Sequence, residues 1–382
     1  MAVYTAIDDP SAFFQATLYT GNGGNGHVIT HTGNSDLQAD MVWVKMRSAA
    51  YPPVVYDTNR RPSGTPFSGS LYMLAIGNNY GTGAENTGAY GPTAIGSNSV
   101  TMNSYDTINK GSETFVAWNW KANGGATTSV SASGTGNLCF NACEYQANTT
   151  SGVSVISYTG RDDQLSNAQH SQLTHGLGVA PKVFICKRRD GTSNWFYLGG
   201  DMTAVSDGWN NNYLNLNNTA AINGSYFTGQ LAPNSSTLYL GNNSVNTADS
   251  WIGYAFAEIQ GFSKFSKYVG NGNVNGPFVY TGFKPAVIIL KQINTTGNWH
   301  IIDNKRSASG GANVNVYTLF PNLDAAESTG EAASTYGVDF LSNGFKIRAS
   351  HSTRNASGGS YIYMAFAENP FTTSTGIPTT AR

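Results

Sequence analysis

A Tyr-X-Gly element occurs three times in this chain, each time at the head of the same series of segments. It reads Tyr19-Thr20-Gly21, Tyr158-Thr159-Gly160 and Tyr268-Val269-Gly270. An apolar run ending in Lys45, Lys187 or Lys291 follows it, and an aromatic strand at 115–120, 251–256 or 361–366 closes each copy. From the lysine to the last aromatic is 75 residues in the first copy, 69 in the second and 75 in the third. Solenoid repeats and propeller blades recur every ~20–50 residues, so this period is too long for them. It is the size of a small domain. The repeat divides the chain into an N-terminal mount (1–16), a first copy (17–125), a Gly/Ser/Thr-rich linker (126–136), a second copy (137–260), a third copy (261–371) and a polar tail (372–382).

Each copy reads as β structure. In the closing strands Val116, Trp118 and Trp120 alternate with other residues, as do Ile252, Tyr254 and Phe256, then Ile362, Met364 and Phe366. A large apolar residue at every second position marks a strand with one buried face. Asn-Gly pairs at 223–224, 275–276 and 343–344 suit hairpin turns. Helical signals are few: Asp9-Pro10 ahead of Ser11 reads as a cap with Pro at the first helical position, and 322–329 carries a weak helical pattern. Many short strands punctuated by turns indicate an all-β protein of three tandem jelly-roll or lectin-like β-sandwich domains.

Composition narrows the function classes. Only 11% of residues are charged, yet 12% are aromatic, which separates the chain from disordered sequences of low charge. The net charge is −1, and the basic clusters, such as Lys187-Arg188-Arg189, are short, so neither nucleic acid nor an anionic membrane is an expected partner. No apolar run approaches the ~18–20 residues of a membrane helix, and no membrane insertion is expected. Met1-Ala2-Val3-Tyr4 carries no basic region, so no secretory signal is expected. The cysteines Cys139, Cys143 and Cys186 give no disulfide framework, and Cys186, inside an apolar run, reads as a buried thiol.

Candidate chemistry is sparse. The segment 21–26 matches G-x-G-x-x-G, but a strand-like run follows where a nucleotide site needs a helix, so it reads as a turn. Glu258 and Glu368 occupy one repeat position in two different copies, which suits strand-end hydrogen bonding better than a paired-carboxylate hydrolase site. Asp57 with Arg60 and Asp303 with Arg306 read as salt-bridged corners; the second copy has Gly199 in place of the acid. The repeated lysines read as strand-end groups with their stems on the sheet. Asp162-Asp163 is a poor calcium motif. No catalytic residue, cofactor or metal ligand is expected. One pattern points to binding. Trp195 beside Asn194, and Trp299 beside Asn298, stand eight residues past their lysines. Exposed, these rings would stack on sugars while the amides hydrogen-bond them; buried, they are core.

The third copy carries Gly261-Phe262-Ser263-Lys264-Phe265, Gly276-Pro277-Phe278-Val279-Tyr280-Thr281-Gly282-Phe283, Gly297-Asn298-Trp299, 339–345 (DFLSNGF) and 361–368 (YIYMAFAE). In these residues it resembles a repeated domain of tailed-bacteriophage virion proteins, and 7–11 (IDDPS) with 19–23 (YTGNG) is similar to the amino-terminal end of the same proteins. The resemblance implies a non-enzymatic structural protein on the virion, made and assembled in the host cytoplasm, with other virion proteins as partners. The expected role is a tail or fibre component contacting the host surface, with a host glycan as ligand and a homo-oligomer as the assembled state. Fibres often carry a coiled coil or shaft, which this sequence lacks, so a capsid decoration protein stays open as the alternative and a glycan-degrading enzyme as a second one.

Overall fold

Alternating apolar and aromatic residues build antiparallel strands throughout. The computed structural model describes residues 5–61, 69–77, 79–135, 139–161, 171–202, 211–227, 232–240, 245–307, 313–329 and 332–379. The first copy supplies β1 (Phe14–Thr20), β2 (His27–Thr30), β3 (Met41–Met46), β4 (Val54–Asp57), β5 (Leu74–Ala75), β6 (Ala94–Gly96), β7 (Ser99–Met102) and β8 (Thr114–Trp120). The second supplies β9 (Thr128–Val130), β10 (Cys143–Asn148), β11 (Val153–Thr159), β12 (Ser171–Thr174), β13 (Val183–Arg188), β14 (Trp195–Gly199), β15 (Asn211–Asn215), β16 (Asn223–Phe227), β17 (Thr237–Leu240) and β18 (Ser250–Phe256). The third supplies β19 (Ser263–Val269), β20 (Phe278–Tyr280), β21 (Phe283–Gln292), β22 (Trp299–Asp303), β23 (Val338–Leu341), β24 (Gly344–Ile347) and β25 (Ser360–Pro370). The helices among the described residues are single turns.

The three copies share one strand order. The large sheets run β1-β8-β3-β4-β5, β11-β18-β13-β14 inside an eight-stranded sheet, and β19-β25-β21-β22. A small sheet accompanies each: β2-β7-β6, β12-β17 and β20-β24-β23. Register makes the equivalence residue by residue. Lys45 pairs with Val116, Lys187 with Ile252 and Lys291 with Ile362.

Both faces of the large sheets are buried, against different neighbours. In the first copy one face (Val42, Val44, Phe115, Ala117) packs on Ile29, Val100 and Met102 of its own small sheet. The second copy does the same with Phe184, Cys186 and Ala255 on Leu173, Leu238 and Leu240. The opposite faces of all three copies meet in a single shared core, which contains Trp43, Trp118, Val155, Ile185, Tyr254, Phe265, Ile289 and Met364. The last aromatic of each closing strand lies at its centre: Trp120 and Phe366 have ring centroids 5.6 Å apart, and Phe256 and Phe366 5.8 Å. The three copies therefore pack on one another through this core, each also carrying a small sheet of its own.

The Tyr-X-Gly element has one explanation in all copies. Tyr19, Tyr158 and Tyr268 lie directly across from, and stack on, the first aromatic of the closing strand: Phe115, Trp251 and Tyr361. Their hydroxyls donate to the carbonyls of Ile108, Val245 and Arg354. The next residue in each case is a buried asparagine, Asn109, Asn246 or Asn355. Its side-chain oxygen accepts the N–H of Asn22, Arg161 or Asn271, the residue after the glycine. The glycine is forced by contact. A Cβ on Gly21, Gly160 or Gly270 would stand 2.2, 1.8 or 2.3 Å from a backbone carbonyl oxygen.

Some local expectations change. The mount is a single 3₁₀ turn, Pro10–Ala12, capped by Asp9, and Phe14 already belongs to β1. Phe13 packs on Phe262 and Phe14 on Phe366, so this segment anchors on the third copy as well as the first. Residues 128–130 of the expected linker form β9, which pairs with β10. Residues 322–329 contain no helix, because they reach across to the first copy instead. Asn343-Gly344 sits at the β23–β24 hairpin, whereas Asn223-Gly224 opens β16. The tail is pinned to the N-terminal segment: Ser374 donates from its N–H and its hydroxyl to the Asp8 carboxylate.

Candidate functional site

The polar residues singled out by the repeat converge on the seams between copies. Trp118 of the first copy donates from Nε1 to Asp303 Oδ2 of the third at 2.9 Å. Tyr254 of the second copy, at the register position of Trp118, donates its hydroxyl to Asp57 Oδ2 of the first at 2.6 Å. The third copy has Met364 at that position, and the acid it would meet in the second copy is replaced by Gly199. Each copy thus reaches to the next in one cyclic order. Both partners lose polarity together at the seam where either does.

Three further contacts repeat this order. Lys45 Nζ donates to Asp324 O, Lys187 Nζ to Thr82 O and Lys291 Nζ to Thr219 O, at 3.4, 3.3 and 3.4 Å. Three residues beyond each acceptor, the N–H of Glu327, Glu85 or Ile222 donates to the carbonyl of Arg47, Arg189 or Ile293. At two seams the side chains of these partners form ion pairs, Arg47–Glu327 and Arg189–Glu85, at 2.7 and 2.8 Å. At the third seam both are isoleucine. An unpaired charge in a seam costs more than a paired one gains, so charge is present or absent in pairs.

The corners deepen two seams. Arg60 Nε bonds Asp57 Oδ2 at 2.7 Å and its Nη1 bonds Glu85 Oε1 at 2.8 Å; Arg306 does the same with Asp303 at 2.6 Å and Glu327 at 2.5 Å. Both guanidinium groups are buried, and Arg306 lies over the Trp118 ring. Burial opposes the charge on Glu85, but Arg60 and Arg189 outweigh it and hold the carboxyl below its ordinary value. Burial pulls Lys45 down to about 7, with Asp324 and Glu327 opposing, and Lys187 and Lys291 to about 8.

Trp195 and Trp299 belong to the same seams. Each is about 1% exposed, and each Nε1 donates across a seam, to Ala75 O at 2.8 Å and to Asn215 O at 2.9 Å. Their neighbours are also committed: Asn194 Oδ1 accepts from Asn217, whose own oxygen takes the Trp195 N–H, and Asn298 with Asn322 repeats this for Trp299. No ring face is left on which a sugar could stack, so these residues are seam core. The first copy has Pro53 at this register position.

A model of a domain of unknown function, DUF7483, matches residues 9–370. The chain belongs to the DUF7483 family. The family's unit therefore spans all three copies, in agreement with their shared core. No curated protein matches the chain, and no solved structure does.

The remaining sequence candidates have plain partners. Glu258 accepts from Lys264 Nζ at 3.0 Å and from the Phe265 N–H at 2.8 Å, and Glu368 pairs with Lys284 at 2.8 Å. The G-x-G-x-x-G segment lies between two strands, β1 and β2. Cys186 is buried, and burial raises its thiol well above the ordinary value. Asp162 and Asp163 lie outside the described residues. Among the described residues no cluster of His, Cys, Asp and Glu could hold a metal ion. The seam residues Arg47, Glu85 and Glu327, and the buried Asn109, Asn246 and Asn355, were given no such role by the sequence, and Arg189 was read only as part of a short basic cluster. A signal for the asparagines exists: each stands eight or nine residues before Trp118, Tyr254 or Met364.

Proposed function

We propose that this chain is a non-enzymatic structural protein of a bacteriophage virion, working as a tail or fibre component that contacts the host surface. Its three copies are read as jelly-roll or lectin-like sandwiches arranged as a built-in trimer. The observation that carries the reading is the use of the repeated polar residues. Lysines, aspartates, arginines and tryptophans that recur between copies are spent on holding the copies together, as in a scaffold whose output is a rigid outer surface. Other virion proteins are its proposed partners, in a homo-oligomeric assembly.

One observation favours capsid decoration as a second reading. The described helices are single turns, with no shaft or coiled coil among them, and three copies in cyclic order suit a local threefold position on a shell. Immunogold labelling of intact virions tests both. Label on tail tips supports host contact, label on capsid faces supports decoration, and purified virions without label overturn the virion assignment.

A further inference from the structure

The third copy differs from the other two on its outer surface. Phe278 and Tyr280 point outward from β20 and are 45% and 62% exposed, and Phe371, five residues past the central Phe366, is 38% exposed. The equivalent positions are Val28, Thr30 and Gly125 in the first copy and Gln172, Thr174 and Gly261 in the second. These three partly exposed rings are absent from the other two copies, so the shared fold does not require them.

Two of them flank one cleft. Tyr280 and Phe371 line a cavity of about 400 Å³ together with Thr281, Gly282, Glu258 and Lys264. Its walls are fixed by backbone bonds: the N–H groups of Thr281 and Gly282 donate to Asn343 O, and the Phe371 N–H donates to Gly282 O at 3.2 Å. Glu258 is held by the Phe265 N–H and faces Lys264 Nζ at 3.0 Å. The cleft thus sets two partly exposed aromatic side chains beside an acceptor and a donor three ångströms apart.

We propose that this cleft is a saccharide site, taking one or two rings of a neutral glycan. The C–H face of a sugar packs on an aromatic ring. Adjacent hydroxyls of the sugar can donate to Glu258 and accept from Lys264, a pattern that a carboxylate–ammonium pair satisfies without net charge. The volume lies within the range of small-ligand pockets. Phe278, two residues along the same strand face, extends the platform beyond the cleft for a longer chain. The proposal rests on the host-contact reading, but the isolated protein tests it separately from virion location.

The probes are lactose, maltose, cellobiose and N,N′-diacetylchitobiose in saturation-transfer NMR with the full chain, followed by an array of neutral and acidic oligosaccharides. Binding of at least one neutral sugar is expected, about tenfold weaker in Tyr280→Ala and in Phe371→Ala. The thermal midpoint should stay unchanged in Tyr280→Ala, whose side chain is 62% exposed, and fall modestly in Phe371→Ala, which is 38% exposed, so binding is compared well below both midpoints; Tyr80→Ala, an exposed tyrosine in the first copy, should bind as the wild type does. Absence of binding across the panel and the array overturns the proposal, as does binding undiminished in both variants. Sedimentation showing a dimer that Tyr280→Ala dissolves also overturns it, assigning the face to a second copy of the chain. Sugar binding by a protein that labels only capsid faces would leave the site standing and remove the tail location.

Discussion

Trp118 donates from its indole nitrogen to Asp303 across 185 residues of sequence, and Tyr254 does the same for Asp57 at the equivalent seam. Each aspartate also takes a buried arginine, Arg306 or Arg60. Removing the acid leaves a buried guanidinium short of its partner, and leaves the Trp118 indole unpaired in one case and the Tyr254 hydroxyl without its acceptor in the other. Asp303→Ala and Asp57→Ala should each lose about 3–5 kcal/mol of stability, the cost of breaking a buried pair on one side. Urea denaturation monitored by tryptophan fluorescence checks this; a loss below ~1 kcal/mol, the ordinary value for an exposed pair, would contradict it.

The paired substitution at the third seam can be imposed elsewhere. Arg189→Ile and Glu85→Ile should each destabilise the protein, and the double variant, which copies Ile293 and Ile222, should recover part of the loss. Double-mutant-cycle coupling of about 0.5–3 kcal/mol is expected for groups in one network. Glu85 also holds Arg60, so recovery is expected to be partial. Strict additivity would mean that the pair does not bridge the seam.

The glycine of the Tyr-X-Gly element should tolerate no side chain. Gly21→Ala, Gly160→Ala and Gly270→Ala drive a Cβ into a carbonyl oxygen. Gly26→Ala meets nothing within 4 Å but must adopt a φ of +78°. The first three should cost several kcal/mol through forced backbone movement, and the last about 1 kcal/mol through conformation alone. Thermal midpoints of the four variants rank the two effects.

Stability should peak on the alkaline side of neutrality. His31 is pulled by burial to about 4, and His175 and His300 are also lowered. The unfolded chain therefore takes up these protons first, and stability falls as pH drops below the ordinary histidine value of 6.5. Lys45, Lys187 and Lys291, lowered to about 7, 8 and 8, release protons in the folded state before the unfolded chain does near 10.5. Stability is gained as pH rises through that window. Buried tyrosines such as Tyr56, Tyr158 and Tyr254 are raised above 10, so stability is lost again as the unfolded phenols ionise. Thermal midpoints between pH 4 and 11 should therefore be highest at about 8–10; a maximum at pH 5–6 would contradict the burial of these groups.

The β class was legible in the alternation of Trp118 and Trp120, and the equivalence of the copies in the spacing of their lysines. The packing of the copies on one another was not. Period two shows that a strand has a buried face, but it does not say whether that face meets the copy's own small sheet or a neighbouring copy. Trp195 could be read as core or as a sugar platform for the same reason: its partners are distant in sequence, Ala75 taking its indole N–H from 120 residues away. The seams did leave a trace, since Gly199 and Met364 depart from the pattern together, as do Ile222 and Ile293. Matching those departures needs the cyclic order of the copies, which only the contacts reveal.

The central claim is that Trp120, Phe256 and Phe366 share one core. Phe366→Ala should cost about 3–5 kcal/mol. Hydrogen–deuterium exchange of this variant, read peptide by peptide, tests the claim most directly. The account predicts faster exchange in β8 and β18 as well as in β25. Faster exchange confined to residues 261–371 would show three independent units and contradict it.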